Sequence, residues 1–210
     1  MIKKPPEVQE AFLFMIGSCN GSIIFRKVLF LSFHFSSLAR NIHMQTLHTP
    51  RLVLRALQTD DSQVIYLLRS NPEVNEYLDR SPCHSVEDAL SFIHKINGAV
   101  NNGNAYYWGI CTKGSGEFIG TICLFDLSAE KSSCEIGFEL LPEFQGHGYM
   151  KEATESVLDF VFKSLSLEKI RADVHENNAR SLHLLHKLQF VGTTSEYPEP
   201  HLKSFILVRA

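Results

Sequence analysis

One junction constrains this chain more than any other stretch. Across residues 134–140, apolar Cys134, Ile136, Phe138 and Leu140 alternate with Glu135, Gly137 and Glu139, the two-residue period of a strand with one apolar face. Pro142 has no N–H to give to a ladder and ends the strand. After Tyr149 the period changes, and Met150, Ala153, Val157, Val161 and Leu165 recur at helical spacing. Between the two patterns lies Gln145-Gly146-His147-Gly148. Without side chains, Gly146 and Gly148 let the backbone N–H groups of the turn and of the first helical turn approach an anion, and the positive end of the helix favours one. The junction therefore suits a phosphate or diphosphate. Two glycines alone fit a plain strand-to-helix connection as well, because short glycine patterns are weak signals.

Composition narrows the classes of partner. At 210 residues, 44% hydrophobic and 20% charged, the chain is long enough for one packed domain. A formal charge of -3 with no run of Lys or Arg provides no field for nucleic acid. The five cysteines, Cys19, Cys83, Cys111, Cys123 and Cys134, are odd in number and include no Cys-x-x-Cys pair, which argues against a disulfide framework and a zinc knuckle and for a reducing, cytoplasmic setting.

Residues 1–43 differ from the rest. Their two Phe-rich apolar runs are broken by Arg26 and Lys27 and fall short of the roughly 20 residues that span a bilayer. Glu7 and Glu10 precede the first run and no small-residue cleavage site follows, unlike a signal peptide. An interfacial helix around Arg26 and Lys27 would have a thin polar face. The expectation is an N-terminal extension, residues 1–43, outside a domain of residues 44–210, with Met44 as the natural start and no membrane partner.

Through the domain, residues 51–57 alternate as a first strand, with Leu52, Leu54 and Ala56 on one face. Thr59, Asp60 and Asp61 open a helix whose Val64, Leu67 and Leu68 face inward until Asn71-Pro72. A second helix starts at Ser85 with the stripe Ala89, Phe92, Ile93 and Ile96 and ends in the Asn- and Gly-rich stretch from Asn97 to Asn104. Residues 106–112 and 117–127 form a hairpin leading into the strand before the glycine turn. A further strand carries Ile170, Ala172 and Val174, Asn178 caps a helix with Leu182, Leu185 and Leu188, and two strands close the chain. This pattern predicts an α/β domain with a mixed, mostly antiparallel central sheet flanked by helices on both faces.

Glu135-Ile136-Gly137-Phe138, followed by Leu140-Leu141-Pro142-Glu143-Phe144-Gln145-Gly146-His147-Gly148-Tyr149-Met150-Lys151-Glu152-Ala153, resembles the acetyl-coenzyme A signature of the GNAT acetyltransferase superfamily. Together with Thr49-Pro50-Arg51-Leu52-Val53-Leu54-Arg55 and Glu176-Asn177-Asn178-Ala179-Arg180-Ser181, it is most similar to the RimJ/RimL-type N-acetyltransferases, the ribosomal-protein-alanine N-acetyltransferase-like group. The resemblance covers nearly all of residues 49–210 and implies acetyl-CoA as acetyl donor, no metal, and a primary amine as acceptor, either a protein N-terminus or a small amine. It implies that Gln145, Gly146, His147, Gly148, Tyr149 and Met150 wrap the diphosphate, with Met150 where the family usually has Gly or Ala. It also implies that the backbone of Phe138, Leu140 and Leu141 pairs with the pantetheine arm and stabilises the oxyanion. Asn178 resembles the Asn that bonds pantetheine, and Ser181 the Ser that returns a proton to the thiolate. Helix capping is the ordinary alternative for both. Gln189 stands where the family has Gly, and residues 190–200 are shorter than usual on the acceptor side.

The remaining need is a base. Glu135 and Glu139 share the strand face opposite the apolar row and could take the amine's proton directly or through water, although carboxylates so placed are more often solvated or paired to Arg or Lys. An α-amine near pKa ~8 asks less of a base than a lysine near ~10.4. His183 and His186, one turn apart, lack a third ligand and read as non-metal histidines. Tyr106, Tyr107 and Trp108 lie on the hairpin expected to border the acceptor pocket. The competing readings are a polyamine, amino-sugar or antibiotic acetyltransferase and a non-catalytic acyl-CoA-binding or sensing module.

Overall fold

The computed structural model describes residues 44–128, 132–194 and 200–209. The expected extension, residues 1–43, lies outside these, as does part of the shortened segment 190–200. Within them, alternation becomes an eight-stranded sheet: β1 Leu47–His48, β2 Leu52–Arg55, β3 Tyr106–Thr112, β4 Phe118–Phe125, β5 Ser133–Leu140, β6 Lys169–His175, β7 Val191–Thr193 and β8 Leu202–Val208. Their spatial order is β1-β2-β3-β4-β5-β6-β8-β7. Every neighbouring pair is antiparallel except β5 and β6, which run parallel.

The helices are α1 Ser62–Ser70, α2 Pro72–Asn75, α3 Val86–Asn101, α4 Tyr149–Asp159 and α5 Ala179–Lys187, and a π-type segment, Phe160–Leu165, continues α4. Met150, Ala153 and Val157 of α4 and Leu185 of α5 pack with Leu54, Trp108, Ile136 and Leu140 on one side of the sheet. Ile65 and Leu68 of α1 and Ala89, Ile93 and Ile96 of α3 pack with Tyr107, Cys111, Cys123 and Phe125 on the other. Each large aliphatic group fully withdrawn from water contributes about 1.5–3 kcal/mol, which fixes the helices to opposite faces.

One expectation is corrected. α1 buries Ile65, Leu68 and Arg69, while Leu67 is 46% exposed. The phase is set by Asp61: its buried carboxylate accepts from the Arg55 guanidinium at 2.7 and 2.8 Å and from the Gln58 N–H at 2.7 Å, which ends a 3₁₀ turn, Thr59–Asp61, and starts the α-helix one residue later. α3 ends at Asn101, inside the Asn- and Gly-rich stretch where its end was expected, with Ala99 as the last residue of its buried stripe. The short strand β1 was not anticipated, since two residues carry no period.

Candidate active site

The sheet opens where the parallel pair begins. β5 and β6 are in register only over Ser133–Lys169, Cys134–Ile170 and Glu135–Arg171. Beyond Glu135, β5 continues to Leu140 paired to β4 alone, and β6 continues to His175 paired to β8 alone. Gly137, Phe138 and Glu139 are consequently part-exposed although their strand lies mid-sheet. An unpaired inner edge of this kind takes an extended ligand as if it were another strand.

At the far end of that edge is the glycine turn. Gly146 and Gly148 have φ of 78° and 79°, the left-handed region that favours glycine. Gly148 is the N-cap of α4, no side chain caps the helix, and the Glu152 N–H reaches the Gly148 carbonyl at 3.1 Å. The N–H groups of Tyr149, Met150 and Lys151 lie before that first helical bond and stay available to an anion. Met150 turns its side chain into the core, so the larger residue does not crowd the turn.

The turn is clasped by the residues just before β2. Glu152 accepts from the Thr49 hydroxyl at 2.6 Å, the Arg51 N–H at 2.8 Å and Arg51 Nε at 2.6 Å, while Arg51 Nη1 donates to the His147 carbonyl at 3.1 Å. These bonds hold the Glu152 carboxyl below its usual range against the cost of its burial. Gln145 donates through Nε2 to the Leu140 carbonyl at 3.1 Å and accepts from Arg180 Nη1 at 2.6 Å.

α2 and the residues after it roof the gap from the other face. Arg180 of α5 donates to Glu73 at 2.7 Å, the rings of Tyr77 and His175 lie 5.2 Å apart, and Arg80 donates to Glu139 at 2.6 Å. Asn75 orients Arg80 by accepting from its Nε at 2.7 Å. Of the two ordinary fates expected for Glu135 and Glu139, solvation or pairing to Arg or Lys, the second holds, because both are paired with arginines. The Glu139 side chain is 7% exposed, accepts from Thr121 at 3.1 Å, and Thr121 in turn accepts from the Tyr107 hydroxyl at 3.1 Å. Burial alone would raise the Glu139 pKa, but Arg80, Arg69 and the two hydrogen bonds outweigh it and leave the group below the usual carboxylate range. Glu135 sits at the closed end of the gap and accepts from Arg171 at 3.1 Å, and that arginine also donates to Asp126 at 2.8 Å.

Asn178 accepts from the Ser181 N–H at 3.0 Å and caps α5. The bond uses the serine backbone and does not involve its hydroxyl. Tyr106 and Trp108 pack with Phe160 on the α4 side, whereas Tyr107 faces Glu139. His183 and His186 are exposed, and among the described residues no group of His, Cys, Asp and Glu could hold a metal ion. Burial pushes the Cys134 thiol up to about 12, and raises those of Cys111 and Cys123 as well. These three thiols are therefore poor nucleophiles at neutral pH.

This geometry has a counterpart in known proteins. Residues 51–191 match the sequence model described as "Acetyltransferase (GNAT) domain". The chain belongs to the GNAT acetyltransferase family. Its relatives include the uncharacterized N-acetyltransferase p20 of Bacillus licheniformis, 35% identical over 147 residues that make up 70% of this chain and 83% of the relative. Among solved structures, the ribosomal-protein-S5-alanine acetyltransferase of Vibrio fischeri superposes with a TM-score of 0.67 at 19% identity, over 78% of this chain and 96% of that one. The Vibrio cholerae spermidine N-acetyltransferase in complex with CoA and spermine superposes with 0.64 at 24%, over 75% and 95%.

For this GNAT chain, sequence reasoning assigned no role to the cations around the gap. Arg51, Arg69, Arg80 and Arg180 come from four separate segments, and no spacing links them to one another. For Arg69 one signal existed, since it lies four residues after Ile65 and one after Leu68, on the same helical face.

Proposed function

We propose that this GNAT enzyme transfers acetyl from acetyl-CoA to a primary amine, either a protein N-terminal α-amine or a small amine, by direct attack within a ternary complex. The observation that carries the reading is the unpaired inner edge of β5 past Glu135, ending at an uncapped helix N-terminus with two left-handed glycines. In this reading the diphosphate lies on the N–H groups of Gly146 to Met150. Pantetheine runs along Phe138 to Leu141, and the same backbone polarises the thioester carbonyl. When bound, acetyl-CoA supplies the activated acyl group, and the protein positions it.

The neutral amine nitrogen attacks the thioester carbon, the carbon–sulfur bond breaks, Ser181 hands its hydroxyl proton to the departing thiolate, and the proton shed by the nitrogen as the amide forms returns to the serine oxygen through water. Glu139 lies on the open stretch, is kept anionic by Arg80, and orients the incoming amine by accepting a hydrogen bond from it. Its lowered pKa makes it a weak proton acceptor, and Glu135, bound to Arg171 at the closed end, serves less well. A site so equipped relies on the acceptor's own acidity, which favours α-amines near pKa ~8 over lysine side chains near ~10.4. Thiol release from acetyl-CoA, measured on a panel of peptides and small amines, tests the reading. Acetyl-CoA binding with no thiol released by any amine would make the protein a coenzyme-binding module instead.

A further inference from the structure

Arg69 is 5% exposed, yet its Nε and Nη1 donate to no protein atom among the described residues. Its guanidinium stacks on the Phe92 ring at 4.0 Å, an attraction that leaves the in-plane donors unused. A buried guanidinium without a hydrogen-bonded counter-ion is costly, and in an enzyme it marks a place where a ligand supplies the missing partner. Arg69 also lines a pocket of about 230 Å³ between Ser81, Pro82 and Cys83 and the first half of α3, where Lys95 and the hydroxyl residues Ser81 and Ser91 form further wall. The one carboxylate on that wall, Asp88, is committed to the α3 cap, accepting from the His84 and Ser85 N–H groups at 2.9 and 3.2 Å.

Charge and position point the same way. Arg69 and Arg80 both bear on Glu139, so two cations face one carboxylate on the α1/α3 side of the open β5 stretch. The glycine turn and α4 belong to the opposite side of the sheet. A donor approaching from the α4 side leaves the α1/α3 side for the acceptor.

We propose that the pocket bordered by Arg69 and Lys95 receives a carboxylate carried by the acceptor, so that the substrate class is an amine bearing an anionic group rather than a polyamine. The inference rests on the acetyl-transfer reading for its catalytic arm and stands without it as an anion site. A polyamine would bring further positive charge to a wall that already holds Arg69 and Lys95, and would leave the Arg69 donors unsatisfied. A carboxylate would satisfy them with charge-assisted hydrogen bonds, of the kind that Arg forms in bidentate geometry.

The test uses the full chain with CoA bound and three probes: Ser-Glu-Ala-amide, Ser-Gln-Ala-amide and spermidine. Affinity is read by calorimetry, and kcat/KM by thiol release from acetyl-CoA. The glutamyl peptide is expected to exceed its glutaminyl twin at least tenfold in both readouts and to exceed spermidine in kcat/KM. Lys95→Ala, at an exposed position, should cut the glutamyl preference at least threefold, and Arg69→Gln should bring it close to one. A wild-type ratio near one, or spermidine as the best acceptor, overturns the proposal. If no probe releases thiol, the acetyl-transfer reading fails, while the calorimetric ratio still decides whether the pocket selects a carboxylate.

Discussion

Glu139 and Arg80 form a 2.6 Å ion pair whose two side chains are 7% and 4% exposed, at the point where β5 has lost its neighbour. Removing one member of a buried pair leaves the other charge without compensation and costs about 3–5 kcal/mol. Glu139→Gln is expected to lose stability of that order at neutral pH, measured by urea unfolding. Because the folded pKa is lowered, the contribution of the pair is complete above the carboxylate's unfolded value near ~4.3. It falls away as pH drops through the lower folded value, so wild type and variant should converge in acid. If Glu139 holds the amine without deprotonating it, the pH–rate profile of the variant keeps the wild-type shape at a lower amplitude. A loss confined to low pH would instead identify Glu139 as the base.

Gly148→Ala addresses the diphosphate site. A Cβ there would meet Arg51 at 3.5 Å, an ordinary contact, so the cost is mainly that of a left-handed alanine at φ 79°, about 1–2 kcal/mol. The fold is expected to survive with a slightly lower Tm. In the proposed site the methyl group would also stand against the diphosphate, and acetyl-CoA affinity should then drop at least tenfold. Unchanged affinity in the folded variant removes the phosphate-site reading.

Ser181→Ala separates two roles that the sequence could not. The Asn178 cap takes the Ser181 N–H, which alanine retains, so stability should stay within about 0.5 kcal/mol of wild type. Asn178→Ala loses the cap itself and should cost about 1 kcal/mol. A proton-donating hydroxyl predicts that Ser181→Ala lowers kcat at least tenfold while acetyl-CoA affinity is preserved. Full turnover would assign the thiolate's proton to another source.

Gln189 follows the last turn of α5 with φ 62°, the left-handed position where helices most often end in glycine. The departure from the family pattern thus falls on a backbone conformation that disfavours a side chain. Gln189→Gly should relieve that strain, offset in part by the greater freedom of glycine in the unfolded chain, for a net gain of about 0.5–1 kcal/mol. Thermal denaturation reads it as a Tm higher by a few degrees.

The sheet and helices were legible because they rest on periods that one sequence displays: Leu52 and Leu54, Ala89 and Ile93, Met150 and Val157 all bury as spaced. The phase error in α1 arose because a side chain distant from the stripe, Asp61 on Arg55, decides where the helix begins. The cleft was legible where one continuous stretch builds it, from Phe138 through Met150. It was not legible where charges from separate segments meet. Arg80 lies 59 positions from Glu139, and Arg180 lies 107 from Glu73. Nor could alternation tell whether Glu135 and Glu139 face water or an arginine, since both outcomes give the same pattern.

A sheet whose β5–β6 pairing stops at Glu135 has an open lane in its middle that an extended ligand could fill as a further strand. Backbone groups of β5 that face this gap past Glu135 have no strand partner there, and groups of that kind are where proteases and hydrogen exchange reach a chain. A ligand that fills the lane contributes RT ln(1 + [L]/Kd) to stability, about 2.7 kcal/mol at a hundredfold excess over Kd. On the acetyl-CoA reading, the resistance of this protein to unfolding would therefore rise with the concentration of its coenzyme.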